Sequence, residues 1–77
     1  MKCNLVGIQS VKSKKGDIFT VCHTAYIRRG VDGMAVETIW LPGKLYPIDS
    51  MFVGDIYNID RDGQGYVVDF ELLERKS

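Results

Sequence analysis

Few residues in this chain could do chemistry, and their spacing argues against catalysis. The one histidine, His23, follows Cys22 directly. In an extended segment neighbouring side chains point to opposite faces, so this thiol and this base cannot pair on one face. A strand residue with an ordinary hydrogen bond is the stronger reading of His23. The second cysteine, Cys3, stands at no metal-type spacing from Cys22. The two are read as reduced, half-buried thiols, with a disulfide between adjacent strands as the alternative. Asp60-Arg61-Asp62-Gly63 shares the opening of a calcium loop but lacks the next ligand and the closing glutamate. It reads as a hairpin turn. No phosphate loop, serine elbow or histidine pair occurs. The expectation is a chain that is not an enzyme and carries no metal and no cofactor.

Binding is better provided for. Lys12, Lys14 and Lys15 cluster around a turn ending in Gly16, where flexible ammonium groups can meet phosphates without demanding sequence. Phe19 follows on the returning segment, with Tyr26 further along it. Arg28 and Arg29 close its other end, and Lys44 lies beyond the next segment. A basic track interleaved with exposed rings is what sequence-tolerant binding of single strands needs. The plain reading is a solvated turn with Phe19 in the core, and Phe19 does share a face with Val21 and Ile27. Tyr26 and Tyr66, with polar tips, suit an exposed stacking site better. Trp40 shares its face with Met34, Val36 and Thr38 and fits core or platform, the core being preferred.

The elements that must position these residues read as strands. Turn signals recur at 13–16, 30–33, 42–43 and 62–65, separated by runs rich in Val, Ile, Thr and aromatics. The pattern predicts strands at about 3–12, 17–28, 34–41, 50–60 and 66–74, and no substantial helix. Val68, Phe70 and Leu72 alternate with Asp69 and Glu71, which predicts one buried and one wet face. The second strand has no clean polar face, so it is buried twice or shows an apolar-aromatic face to a partner. Gly7 and Gly54 could supply the bulge or bend that curling a long strand requires. Five short antiparallel strands manage their edges most simply by closing, so the fold class is all-β, a small five-stranded antiparallel OB-like barrel in a single domain over 1–77. A meander or SH3-like barrel fits almost as well.

With 77 residues, 45% of them apolar, the core is small, and a dimer interface would add burial. No apolar run is long enough for a signal peptide or a membrane span, which predicts a cytoplasmic chain. The net charge is zero, yet unevenly placed. Residues 1–48 hold seven bases against three acids, and residues 49–77 hold three against seven. Such asymmetry suggests a polyanion partner for the first half, unless folding mixes both signs over one surface.

These features resemble the filamentous-phage gene V type single-stranded DNA-binding proteins and their relatives on mobile elements. The resemblance is one of pattern across most of the chain. It rests on the basic-tipped hairpin Lys12 to Gly16 with Phe19, the segment Tyr26 to Gly30, the Leu-Tyr-Pro connection at Tyr46, and the closing hairpin from Gly54 to Leu73 with Arg75 and Lys76 after it. It implies an OB-like barrel that dimerises and coats single strands, with the hairpin of Lys14, Lys15 and Phe19 as a DNA-binding wing. It also implies that the hairpin from Asp62 to Tyr66 crosses near the dimer axis. The wing here is shorter than the family's, and the chain is neutral where a strand-coating protein is expected to be basic. The expected function is therefore non-catalytic, sequence-nonspecific binding of single-stranded DNA, or of RNA, by a homodimer in phage or mobile-element replication. Its expected contacts are Lys12, Lys14, Lys15, Phe19, Tyr26, Arg28, Arg29 and Lys44. The alternative is a small protein-interaction module.

Overall fold

A computed structural model describes residues 1–76. Five antiparallel strands, β1 (Lys2–Lys12), β2 (Ile18–Tyr26), β3 (Ala35–Pro42), β4 (Ile56–Arg61) and β5 (Val67–Glu74), form one open sheet in the order β3-β2-β1-β4-β5. The only helical element among the described residues is a single 3₁₀ turn, Ile48–Ser50. β1 is the hub: it pairs with β2 from Asn4 to Lys12 and with β4 from Lys2 to Asn4.

The first hairpin closes through Ser13. Its N–H donates to the Asp17 carbonyl at 2.8 Å, and its hydroxyl oxygen accepts the Asp17 N–H at 3.1 Å. Gly16 takes the left-handed conformation, φ +91°, that this reversal requires. Further along, the ladder slips between Leu5 and Gly7, a bulge that leaves Val6 as the extra residue. Side-chain parity changes there, so Cys3 and Leu5 before the bulge and Ile8 after it share the inner face. Gly7 lets the His23 ring lie close against this bend; a Cβ would stand 3.2 Å from His23 Cδ2, so the ring would have to give by a few tenths of an ångström.

The inner face carries the core: Cys3, Leu5, Cys22, Tyr26, Ile39, Leu41, Tyr57, Ile59 and Phe70, joined by Met51. Phe70 stacks on Tyr57 at 4.7 Å between centroids, and the Tyr46 ring meets Phe70 edge-on at 6.5 Å. Thr20 and Thr24 are buried here without loss, because each hydroxyl donates to a carbonyl: Thr20 to Tyr46 at 2.5 Å and Thr24 to Glu37 at 3.1 Å. Arg61 and Glu37 form an ion pair that reaches from β4 to β3.

The strand pattern departs from expectation in two places. β4 starts at Ile56 rather than near 50, because Pro47 accepts both the Ser50 N–H and its hydroxyl, and a second turn runs from Phe52 to Asp55 with Gly54 at φ +100°. On β5, the ladder skips Val68 and Leu73. Each skip reverses the alternation, so Val67 packs on the core while Val68 lies exposed. After β5 the chain folds back on buried Asp55, whose carboxylate accepts the Lys76 N–H at 2.9 Å and faces Arg75 Nε at 3.4 Å. The expected basic tail is thus tied down, with Arg75 over the Phe52 ring and Lys76 Nζ 2.9 Å from Glu74.

Candidate functional site

β2 places a second set of residues on the outer face of the sheet. Phe19, Val21, His23 and Ala25 alternate with the inward-facing Thr20, Cys22, Thr24 and Tyr26. Register sets Trp40 opposite Val21, Thr38 opposite His23 and Val36 opposite Ala25 on β3, with Gln9 and Val11 alongside on β1. Phe19 and Trp40 meet at 5.8 Å between centroids and an interplanar angle of 62°. Phe19 is half-buried, while Trp40 keeps 57% of its surface exposed. Val21 beneath this pair is buried, so β2 is covered on both faces over part of its length.

The polar groups on this face are fixed in place. His23 Nδ1 lies 3.0 Å from Thr38 Oγ1, and Nε2 lies 3.5 Å from Gln9 Oε1, so the imidazole bridges three strands. None of the outward-facing residues of β2 and β3 is acidic. Glu37 belongs to the opposite parity, where it meets Arg61 and the Tyr26 hydroxyl at 3.5 Å.

The predicted basic residues fall into two groups. Lys14 and Lys15 are exposed in the β1–β2 turn, Lys12 is exposed at the end of β1, and Lys44 lies in the connection that follows β3 at the same end. Lys44 joins that turn through a cleft lined also by Gly16, Asp17, Phe19 and Pro42. Arg28 and Arg29 are exposed just past the other end of β2. At the rise of an antiparallel strand, the nine residues of β2 separate the two groups by about 30 Å. Phe19 and Trp40 lie between them.

Two aromatic assignments change. Tyr26 is only 9% exposed and belongs to the core. Its parity with Cys22 and Thr24 turns the ring inward, away from the outer face of β2 and β3. Trp40, expected in the core, is exposed instead, and Tyr66, expected to be exposed, is so, but in the turn between β4 and β5. Period-two spacing grouped Trp40 with Val36 and Thr38, but it could not say which face of β3 would be covered.

The remaining reactive groups are sequestered. Cys3 and Cys22 are free and buried, not half-buried. Burial pushes the Cys22 thiol up to about 11, and burial also raises Cys3. Thiols held protonated in this way are poor nucleophiles. Among the described residues, no three His, Cys, Asp or Glu side chains gather to hold a metal ion, and no helix is long and apolar enough to cross a membrane.

No protein-family model matches the chain, and no curated protein or solved structure matches it.

Proposed function

We propose that the chain is a non-catalytic, sequence-tolerant single-stranded nucleic-acid-binding protein, with the outer face of β2 and β3 as its binding surface. The observation that carries this reading is Trp40, exposed beside Phe19 on a face without carboxylates, between two groups of basic residues. Successive bases stack on such rings, and lysines and arginines follow the phosphates. The 30 Å between the basic groups suits about four nucleotides, at the low end for a fold of this size. Lys12, Lys14, Lys15 and Lys44 hold one end of the strand and Arg28 and Arg29 the other. Tyr26 has no part in it.

The sheet is read as an OB-like barrel. In its favour are β1 shared between β2 and β4, and the Arg61–Glu37 pair bridging β4 to the β3 edge. In barrels of that type the ligand lies on strands two and three, beside the loop joining strands one and two. Single-stranded DNA coating in the cytoplasm of a phage or mobile-element host, by a homodimer, is the setting proposed, with RNA as the other strand to test.

The experiment uses the single tryptophan as its own reporter. Titration with a 12-nucleotide oligo(dT) or oligo(rU) is expected to quench Trp40 emission, and affinity should fall steeply with salt, log K losing about 0.7 per log salt for each phosphate neutralised. The double change Lys14→Glu, Lys15→Glu should lower affinity at least tenfold and flatten that slope. Absence of any salt-dependent binding at low ionic strength overturns the reading.

A second reading rests on the β3 edge. Val36 is 77% exposed there, and an edge strand offers unpaired backbone groups to an incoming strand. A protein-interaction module would capture its partner through β3 and tolerate the lysine reversals.

A further inference from the structure

The cleft that joins Lys44 to the first turn has a composition of its own. It measures about 410 Å³ and lies between the β1–β2 turn and the exit of β3. That is the lower range of small-ligand sites, adequate for one nucleoside. Phe19 and Pro42 give it apolar walls, Lys44 a cation, and Asp17 a carboxylate-bearing residue. The backbone around it is tightly held. Gly43 N–H donates to the Ile18 carbonyl at 2.9 Å, and a Cβ at Gly43 would stand 2.8 Å from that oxygen. Asp17 is bonded to Ser13 through both its N–H and its carbonyl, so its position on the rim is set by the turn.

A carboxylate within a lysine-rich end is out of place if the end only holds phosphates, because it repels them. It makes sense against a base. An ionised carboxylate only accepts hydrogen bonds. It therefore suits a base edge that donates, such as the N4 amino group of cytosine, and opposes the O4 acceptor of thymine or uracil. We propose that this cleft receives one unstacked base bearing an exocyclic amino group, flat against Phe19 and Pro42, its amino group toward Asp17 and its phosphate toward Lys44. The inference rests on the single-strand reading above and adds a base preference to it.

Fluorescein-labelled dC and dT 12-mers test this by anisotropy, a readout independent of Trp40. The two differ in the groups that Asp17 would distinguish and stack on themselves only weakly. Wild-type protein is expected to bind dC about fivefold tighter than dT, the modest end of what one base contact discriminates. Asp17→Asn, which can also donate, should bring the two within about twofold, chiefly by tightening dT. Phe19→Leu, which keeps the apolar wall but removes the ring, should weaken dC more than dT. Equal salt-dependent affinities for dC and dT, or a ratio unmoved by Asp17→Asn, overturn the base site while leaving strand binding intact. Binding of neither oligonucleotide overturns both.

Discussion

The sheet has two unlike halves. On the outer face of β2 and β3, the side chains are apolar or aromatic apart from His23 and Thr38, while β1 adds Val11 and Gln9 and, beyond its bulge, Asn4 and Lys2. On the outer face of β4 and β5, Asp60 sits directly opposite Asp69, and Asn58 opposite Glu71. Like charges facing each other across a ladder are unfavourable. The division follows the chain, because the order β3-β2-β1-β4-β5 keeps the basic first half of the sequence on one side of the sheet. Folding therefore preserves the charge asymmetry instead of mixing it. A neutral protein can present a surface suited to a polyanion when its acids are sorted elsewhere.

The largest effect should separate core from surface. Phe70→Ala removes a buried ring that touches Tyr57 and Tyr46, and is expected to cost about 3–5 kcal/mol in urea or thermal unfolding. Its counterpart on the outer face, Trp40→Ala, should change unfolding far less. It should instead cost about 1–3 kcal/mol of oligonucleotide binding, the usual worth of one stacking ring, measured by anisotropy. If Trp40→Ala unfolds the protein as Phe70→Ala does, the outer face is a second core and the contrast fails.

Next comes alkaline pH. The Cys22 thiol stands near 11 in the folded chain against an ordinary value of 9.0. A group whose folded pKa is raised gives stability that is complete below the unfolded value and is lost as pH climbs toward the folded one. The Cys22 contribution should thus be flat below pH 9 and fall by roughly 2 kcal/mol between pH 9 and 11. Cys22→Ser should remove most of that fall in pH-dependent urea melts, and thiol reagents at pH 8 should label neither cysteine until the chain unfolds.

The smallest effect sharpens the acidic half. Asp60→Lys turns a like-charge pair with Asp69 into an opposite one and should stabilise by about 0.2–1 kcal/mol, more at low salt. A loss of stability would mean that the Asn58 side chain, which donates to the Asp60 carboxylate at 3.0 Å, matters more than the repulsion.

Much of the frame was legible in the residues. Val, Ile and Thr runs between glycine turns placed five strands, and Gly7 marked the bulge in β1. Face assignment was harder. Alternation groups residues into two sets but does not name the covered one, and so Tyr26 and Trp40 exchanged roles. The bulges at Val68 and Leu73 carry no glycine or proline to announce them, and each silently reverses parity. The basic cluster of Lys12, Lys14 and Lys15 was legible as a turn. The return of Lys44 to that turn was not, because it depends on Gly43 closing against Ile18.

The way β1 divides its partners sets an order of opening. Its long ladder with β2 holds the first hairpin, and its short ladder with β4, extended by bonds at Met1 and Leu5, holds the second. The molecule is thus a three-stranded meander, β1 to β3, and a hairpin, β4 and β5, joined along one short ladder, and that junction is the thinnest part of the sheet. Amide protons of β4 should exchange with deuterium sooner than those at the centre of β2, as separable cooperative units do.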